Sequence, residues 1–138
     1  MVELATWHRG RLIDHVQLVV ADLAACRRFY GAVLAVLGIP VVDGEDHFFA
    51  DELFVSAGTP PTGRAHLAFQ APDRASVDRF YAAALAAGGR DHGAPGLRDY
   101  HADYYAAFVL DPEGNNIEAV HHGPARRSAP SVEITAAG

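Results

Sequence analysis

The chain is poor in thiols and in positive charge. A single cysteine among 138 residues, Cys26, excludes an intramolecular disulfide and suits a reducing compartment. Lys and Arg total 11 against 17 Asp plus Glu, for a net charge of −6. That balance argues against nucleic acid or an anionic membrane as partner, since both require a basic face. No apolar run is long enough to span a bilayer. Residues 1–12 carry Glu3, His8, Arg9 and Arg11 and lack the apolar stretch of a secretory signal. A cytoplasmic protein is therefore expected. With 50% of residues apolar and 20% charged, the composition is that of an ordinary globular chain, and its length suits one domain, 1–138, with a real core.

What the chain does have is a repeat. Ile13-Asp14-His15-Val16-Gln17-Leu18 returns as Arg64-Ala65-His66-Leu67-Ala68-Phe69 at an offset of fifty-one residues. The same offset links Asp22 to Asp73, Arg28-Phe29-Tyr30 to Arg79-Phe80-Tyr81, Leu34 to Leu85 and Gly38 to Gly89. One register held across a strand, a turn and a helix implies two copies of one supersecondary unit packed together. Each copy carries a histidine at the same place.

The local patterns give each copy its elements. Residues 12–20 alternate as a strand. Asp22 stands at a helix N-cap, the stripe Leu23, Cys26, Tyr30, Val33, Leu34 and Leu37 has helical spacing, and Gly38 ends it. Residues 39–42, 47–50 and 53–55 are short strand candidates, and Gly-Thr-Pro-Pro-Thr-Gly at 58–63 reads as the linker. In the second copy, strand 64–71 precedes the Asp73 cap, a helix and the stop at Gly88-Gly89. Residues 90–100 read as a loop with room for one short strand. Strands 104–110 and 116–121 flank the turn Asp111-Pro112-Glu113-Gly114. The expectation is an α+β protein of two βαβββ modules, about 12–57 and 64–121, followed by a tail, 123–138, with little order.

His15, the helix ending Arg28-Phe29-Tyr30, His66, and the hairpin Asp111-Pro112-Glu113-Gly114-Asn115-Asn116-Ile117-Glu118 together resemble the vicinal oxygen chelate superfamily, the group of glyoxalase I, bleomycin-resistance proteins and extradiol dioxygenases. The resemblance spans about residues 12–121. It implies paired βαβββ modules whose mixed sheets curl into an open cup, a divalent metal held by His15, His66 and Glu118, a small substrate with adjacent oxygens, and a homodimer. Two imidazoles and a carboxylate leave positions open for water and substrate and suit Fe(II), Mn(II), Ni(II) or Zn(II). In the first module the last strand, Glu52-Leu53-Phe54-Val55-Ser56, turns Phe54 or Ser56 inward. It thus lacks the fourth, carboxylate ligand of glyoxalase I, which argues against that reaction.

The spacing His101, Ala107, Phe108, Asp111-Pro112-Glu113-Gly114, Glu118 is similar to the extradiol dioxygenase signature, with Phe108 in place of its tyrosine. The resemblance makes His101 a proton-transfer residue. Tyr104 and Tyr105 open the facing strand; alternation sends one of them into the cup as a hydrogen-bond donor and the other outside. Phe54 and Phe108 are candidate substrate walls and Arg98 the candidate anion-binding residue. The resulting expectation is a metal-dependent enzyme of lyase, isomerase or dioxygenase type. The alternative is a drug-sequestering protein without chemistry, which an acidic chain suits if the drug is cationic. Asp14, placed by alternation on the face opposite His15, reads as structural.

Overall fold

The computed structural model describes residues 6–137; the leaderless reading of residues 1–5 lies outside them. The first module runs β2 (Val16–Val20), α1 (Leu23–Val36), β3 (Val42–Asp43), β4 (His47–Ala50) and β5 (Leu53–Ala57). The second runs β6 (His66–Gln70), α2 (Arg74–Ala86), β7 (Arg90–Leu97), β8 (Tyr105–Leu110) and β9 (Asn116–His121). Both helices start as their sequence dictates. Asp22 Oδ1 accepts the amide of Ala25 at 3.0 Å and Asp73 Oδ1 that of Ser76 at 2.7 Å, each filling an otherwise unpaired first-turn donor. Gly38, at φ +74°, supplies the left-handed residue that ends α1.

Each module builds its own four-stranded mixed sheet, in the orders β2-β5-β4-β3 and β6-β9-β8-β7. In both, the first strand pairs parallel with the last and the remaining pairs are antiparallel. One face of each sheet joins a single core. Leu18, Val20, Phe48 and Val55 come from the first sheet, Ala107, Val109, Ile117 and Ala119 from the second, and Phe29, Tyr30, Val33, Val77 and Phe80 from the helices. Helix α1 packs on α2. The helices thus fill the space behind both sheets, and the sheets turn their other faces away from this shared core.

The second module also fastens the first. Tyr30 Oη donates to Asp111 Oδ2 at 2.5 Å inside the core. The Glu113 carboxylate accepts the amides of Ala21 (2.8 Å) and Asp22 (3.1 Å) at the start of α1, where the helix dipole favours a negative charge.

Three regions depart from the local reading. Residues 90–100 contain an eight-residue strand, β7. Its pairing with β8 slips at Asp91/Gly93 and Gly93/Gly96, so the glycines that suggested a loop are the bulges of an edge strand. The tail returns as β10 (Val132–Thr135), which pairs antiparallel with β1 (Thr6–Arg9), Trp7 opposite Ile134. The first strand begins at Val16, four residues later than its alternation suggested, and leaves Leu12 90% exposed.

Candidate functional site

Parallel pairing of β6 with β9 sets Ala68 beside Glu118 and places His66 one pleat away on the same outer face. There His66 Nε2 donates to Glu118 Oε1 at 3.0 Å. Glu118 is only 2% exposed. It also accepts the hydroxyl of Tyr104 on Oε2, and among the described residues no arginine lies within ion-pair distance of it. A carboxylate taken out of water needs such partners, because an unpaired buried charge is costly. Burial and this hydrogen bond push the Tyr104 phenol up to about 12, so it keeps its proton and acts as donor.

A second cluster borders Tyr104. His101 Nδ1 lies 2.7 Å from the Ala102 carbonyl, and His101 Nε2 lies 2.8 Å from His122 Nδ1. The carbonyl can only accept, so His101 carries its proton on Nδ1. In the neutral pair His122 Nδ1–H then donates to His101 Nε2, which leaves the free lone pair on His122 Nε2. Both rings meet the Tyr104 ring edge-on, each with its centroid 5.2 Å away. His122 carries no role in the sequence reading, although alternation puts residues 118, 120 and 122 on one face of the last strand. Tyr105 points the other way: its hydroxyl donates to Asp78 of α2 at 2.6 Å. The tyrosine at the site is therefore Tyr104.

Phe108 lies opposite Glu118 in the β8–β9 pairing. Its ring centroid is 6.1 Å from that of His66, and the Arg98 guanidinium carbon stands 5.3 Å from its own centroid. The second-sheet face thus brings together His66, Tyr104, Phe108, Glu118 and Arg98, with His101 and His122 at its rim.

The first-sheet face is different. Gln17 pairs with Phe54 as Ala68 pairs with Glu118, so Phe54 stands at the position equivalent to the carboxylate. Phe54 stacks on His47 at 4.9 Å, and Phe49 lies nearly parallel to both. Gln17 Nε2 donates to Ser56 Oγ at 2.9 Å. The alternating strands bring these residues, among them the candidate substrate wall Phe54, to one aromatic, amide-edged surface.

His15 precedes this sheet and does not join His66 and Glu118. Among the described residues no three His, Cys, Asp or Glu side chains converge as metal donors. The reason lies in the fold, since both outer faces turn away from one core. His15 Nδ1 instead bonds Asp14 Oδ1 at 2.7 Å. Asp14 therefore serves the histidine directly rather than standing as an unrelated structural residue. This hydrogen bond, more than the nearby Arg9 guanidinium, holds its carboxyl below the usual range. It commits the proton to Nδ1 and leaves Nε2 free to coordinate, as metal-binding histidines require. The His66–Glu118 pair fits a metal in the same sense: two bonds of ~2.1 Å at a right angle put their donors ~3 Å apart. Within one chain it offers two ligands.

The family model of the Glyoxalase/Bleomycin resistance protein/Dioxygenase superfamily matches residues 12–119. No curated protein matches the chain. Among solved structures, a glyoxalase/bleomycin resistance protein from Albidiferax ferrireducens T118 is 33% identical, with 80% of this chain and 98% of that chain covered and a TM-score of 0.69. A glyoxalase-related enzyme from Fulvimarina pelagi has 20% identity, covers 92% and 99%, and has a TM-score of 0.69. A lactoylglutathione lyase from Agrobacterium tumefaciens has 21% identity, covers 81% and 94%, and has a TM-score of 0.60. The last two show a shared fold. The two βαβββ modules, the Asp111–Glu118 hairpin and this family match lead to one conclusion: the chain belongs to the glyoxalase/bleomycin resistance protein/dioxygenase superfamily, the vicinal oxygen chelate group.

Proposed function

We propose that the protein is a divalent-metal-dependent enzyme for a small substrate with two adjacent oxygens. Its metal is held by His66 and Glu118 of one copy and His15 of a second copy in a homodimer. The observation that carries this reading is the buried Glu118 carboxylate, whose neighbours are a neutral phenol and the His66 imidazole. The need for a second copy follows from the outward faces. An isologous pair that laid the first-sheet face of each copy over the second-sheet face of the other would close two equivalent cups. Ile13, 46% exposed near His15, and Leu97 and Tyr100, 59% and 64% exposed near Tyr104, are apolar surface that such a pair would cover.

What an ion of the Fe, Mn, Ni or Zn type supplies when bound there is Lewis acidity toward the chelated oxygens. The side chains do the rest. Tyr104 orients Glu118 by occupying Oε2. His101 and His122 move protons at the rim, an ordinary task for imidazole near neutral pH. Phe108 of one copy and Phe54 of the other wall the cup and exclude water. The reaction is of lyase, isomerase or dioxygenase type.

The test is metal binding by chelator-treated protein, followed by elemental analysis and titration. One ion per chain is expected, with His66→Ala, Glu118→Gln and His15→Ala each weakening binding by more than about a hundredfold and Asp14→Asn by about ten- to a hundredfold. Co-expressed H15A and H66A chains should recover a site in their mixed dimer. A wild-type protein that binds no metal, or an unchanged H66A, overturns the reading. Tight, metal-indifferent binding of a cationic drug would favour sequestration instead.

A further inference from the structure

We propose that Arg98 selects the substrate and that the substrate carries a carboxylate, a few bonds from the oxygens that meet His66 and Glu118. This deepens, and rests on, the reading of that face as the substrate site.

The arginine is held by a built arrangement. Its backbone amide donates to the Tyr104 carbonyl at 2.8 Å, which closes the loop that also carries His101. Its Nη2 donates to the Ala94 carbonyl at 2.8 Å, and its guanidinium lies against the Phe108 ring. Two glycines clear the space. A Cβ on Gly96 would stand 3.2 Å from Arg98 Nη1, and one on Gly93 would stand 3.3 Å from Nη2 and 3.1 Å from the Phe108 ring. Gly93 also adopts φ +149°, which side-chain-bearing residues rarely take. Both glycines sit at the slips in the β7–β8 pairing. The bulged edge strand therefore seats the guanidinium over the outer face, beside the ring that neighbours His66.

What the arginine lacks is an anion. Among the described residues no carboxylate lies within ion-pair distance of it, whereas Arg9, Arg27 and Arg74 reach Asp14, Asp43 and Asp103. Its bonds to carbonyls leave donors of the fork unspent, and a planar fork matches a carboxylate with two parallel hydrogen bonds. Stacking on an aromatic face pre-orders the side chain, so little rotamer freedom is lost on binding. The chain's net charge of −6 repels anions in general, and a fixed local cation is what an anionic substrate would need.

The test compares 3,4-dihydroxybutanoate with 3,4-dihydroxybutanamide, probes that keep the same two adjacent oxygens and exchange a separate carboxylate for a neutral amide, by calorimetry and ligand-observed NMR on the full metal-loaded chain. The wild type should prefer the carboxylate by about ten- to a hundredfold. Arg98→Gln should remove the preference, and Arg98→Lys should keep only part of it because the fork is lost. His66→Ala should weaken both probes while leaving their ratio intact, which separates failure of the metal reading from failure of this one. Equal binding of the two probes, no binding of either by the wild type, or a preference that survives R98Q overturns the assignment.

Discussion

Tyr30→Phe removes one oxygen atom from the centre of the fold. Tyr30 has no exposed surface and Asp111 is 1% exposed. The Asp111 carboxylate accepts four bonds: from Tyr30 Oη at 2.5 Å, from the amides of Glu113 (2.9 Å) and Asn115 (2.8 Å), and from Asn115 Nδ2 (3.1 Å). The variant deletes the shortest of these and leaves a desolvated acceptor short of a partner. A hydrogen bond to a charged group contributes about 1.5–3 kcal/mol, and its loss in a dry site falls toward the upper end. An unfolding entropy of about 2.1 cal/mol/K per residue gives a chain of this length about 0.3 kcal/mol/K, so the melting temperature should fall by about 7–10 °C. The assay is calorimetry at one fixed protein concentration, because any dimer makes the midpoint concentration-dependent. In an Asp111→Ala background the same change should cost far less, since the acceptor is already gone. A Y30F protein that melts within about 2 °C of wild type would refute the claim that this bond holds the two modules together.

Two further perturbations probe the same architecture. Burial pushes the Cys26 thiol from 9.0 up to about 12, with Asp111 adding to the rise. A raised folded-state value means that the unfolded chain loses its proton first. Cys26 thus contributes stability fully below pH ~9 that is lost as pH rises toward ~12, at most about 4 kcal/mol. Urea midpoints across that window should fall less steeply for Cys26→Ala. Glu113→Ala uncovers two amides at the start of α1 and should cost about 1 kcal/mol, or about 3 °C; a melting curve that superimposes on wild type would mean that water replaces the carboxylate at no cost.

Much of this was legible in the residues because it is local. The caps at Asp22 and Asp73 and the stop at Gly38 depend on a few neighbouring atoms, and each is where its pattern put it. The βαβββ order followed from one register repeated twice. Strand β7 was not legible because Gly93, Pro95 and Gly96 read locally as breakers, while pairing along β8 and two bulges decide the outcome. Strands β1 and β10 bring residues 6–9 against 132–135, a separation at which local pattern says nothing. On the second-sheet face, the repeat and the terminal hairpin singled out His66 and Glu118, which the structure sets side by side. The same symmetry made His15 their equal without revealing that the helices lie behind both sheets and send the two histidines to different faces. Asp14 was misplaced because alternation was extended into residues 12–15, which lie before the strand begins.

The clasp of Glu113 over the first turn of α1 also bears on synthesis. Residues 21 and 22 leave the ribosome early, and the side chain that receives their amides follows roughly ninety residues later. At translation rates of about 5–20 residues per second, the start of the first helix spends some five to twenty seconds with those donors facing water. Tyr30 waits as long for Asp111. The first module thus emerges as an unfinished half, exposed to chaperones and proteases until the final hairpin closes over it. Synonymous changes that slow translation between the two modules would lengthen that interval without altering a single contact in the finished protein.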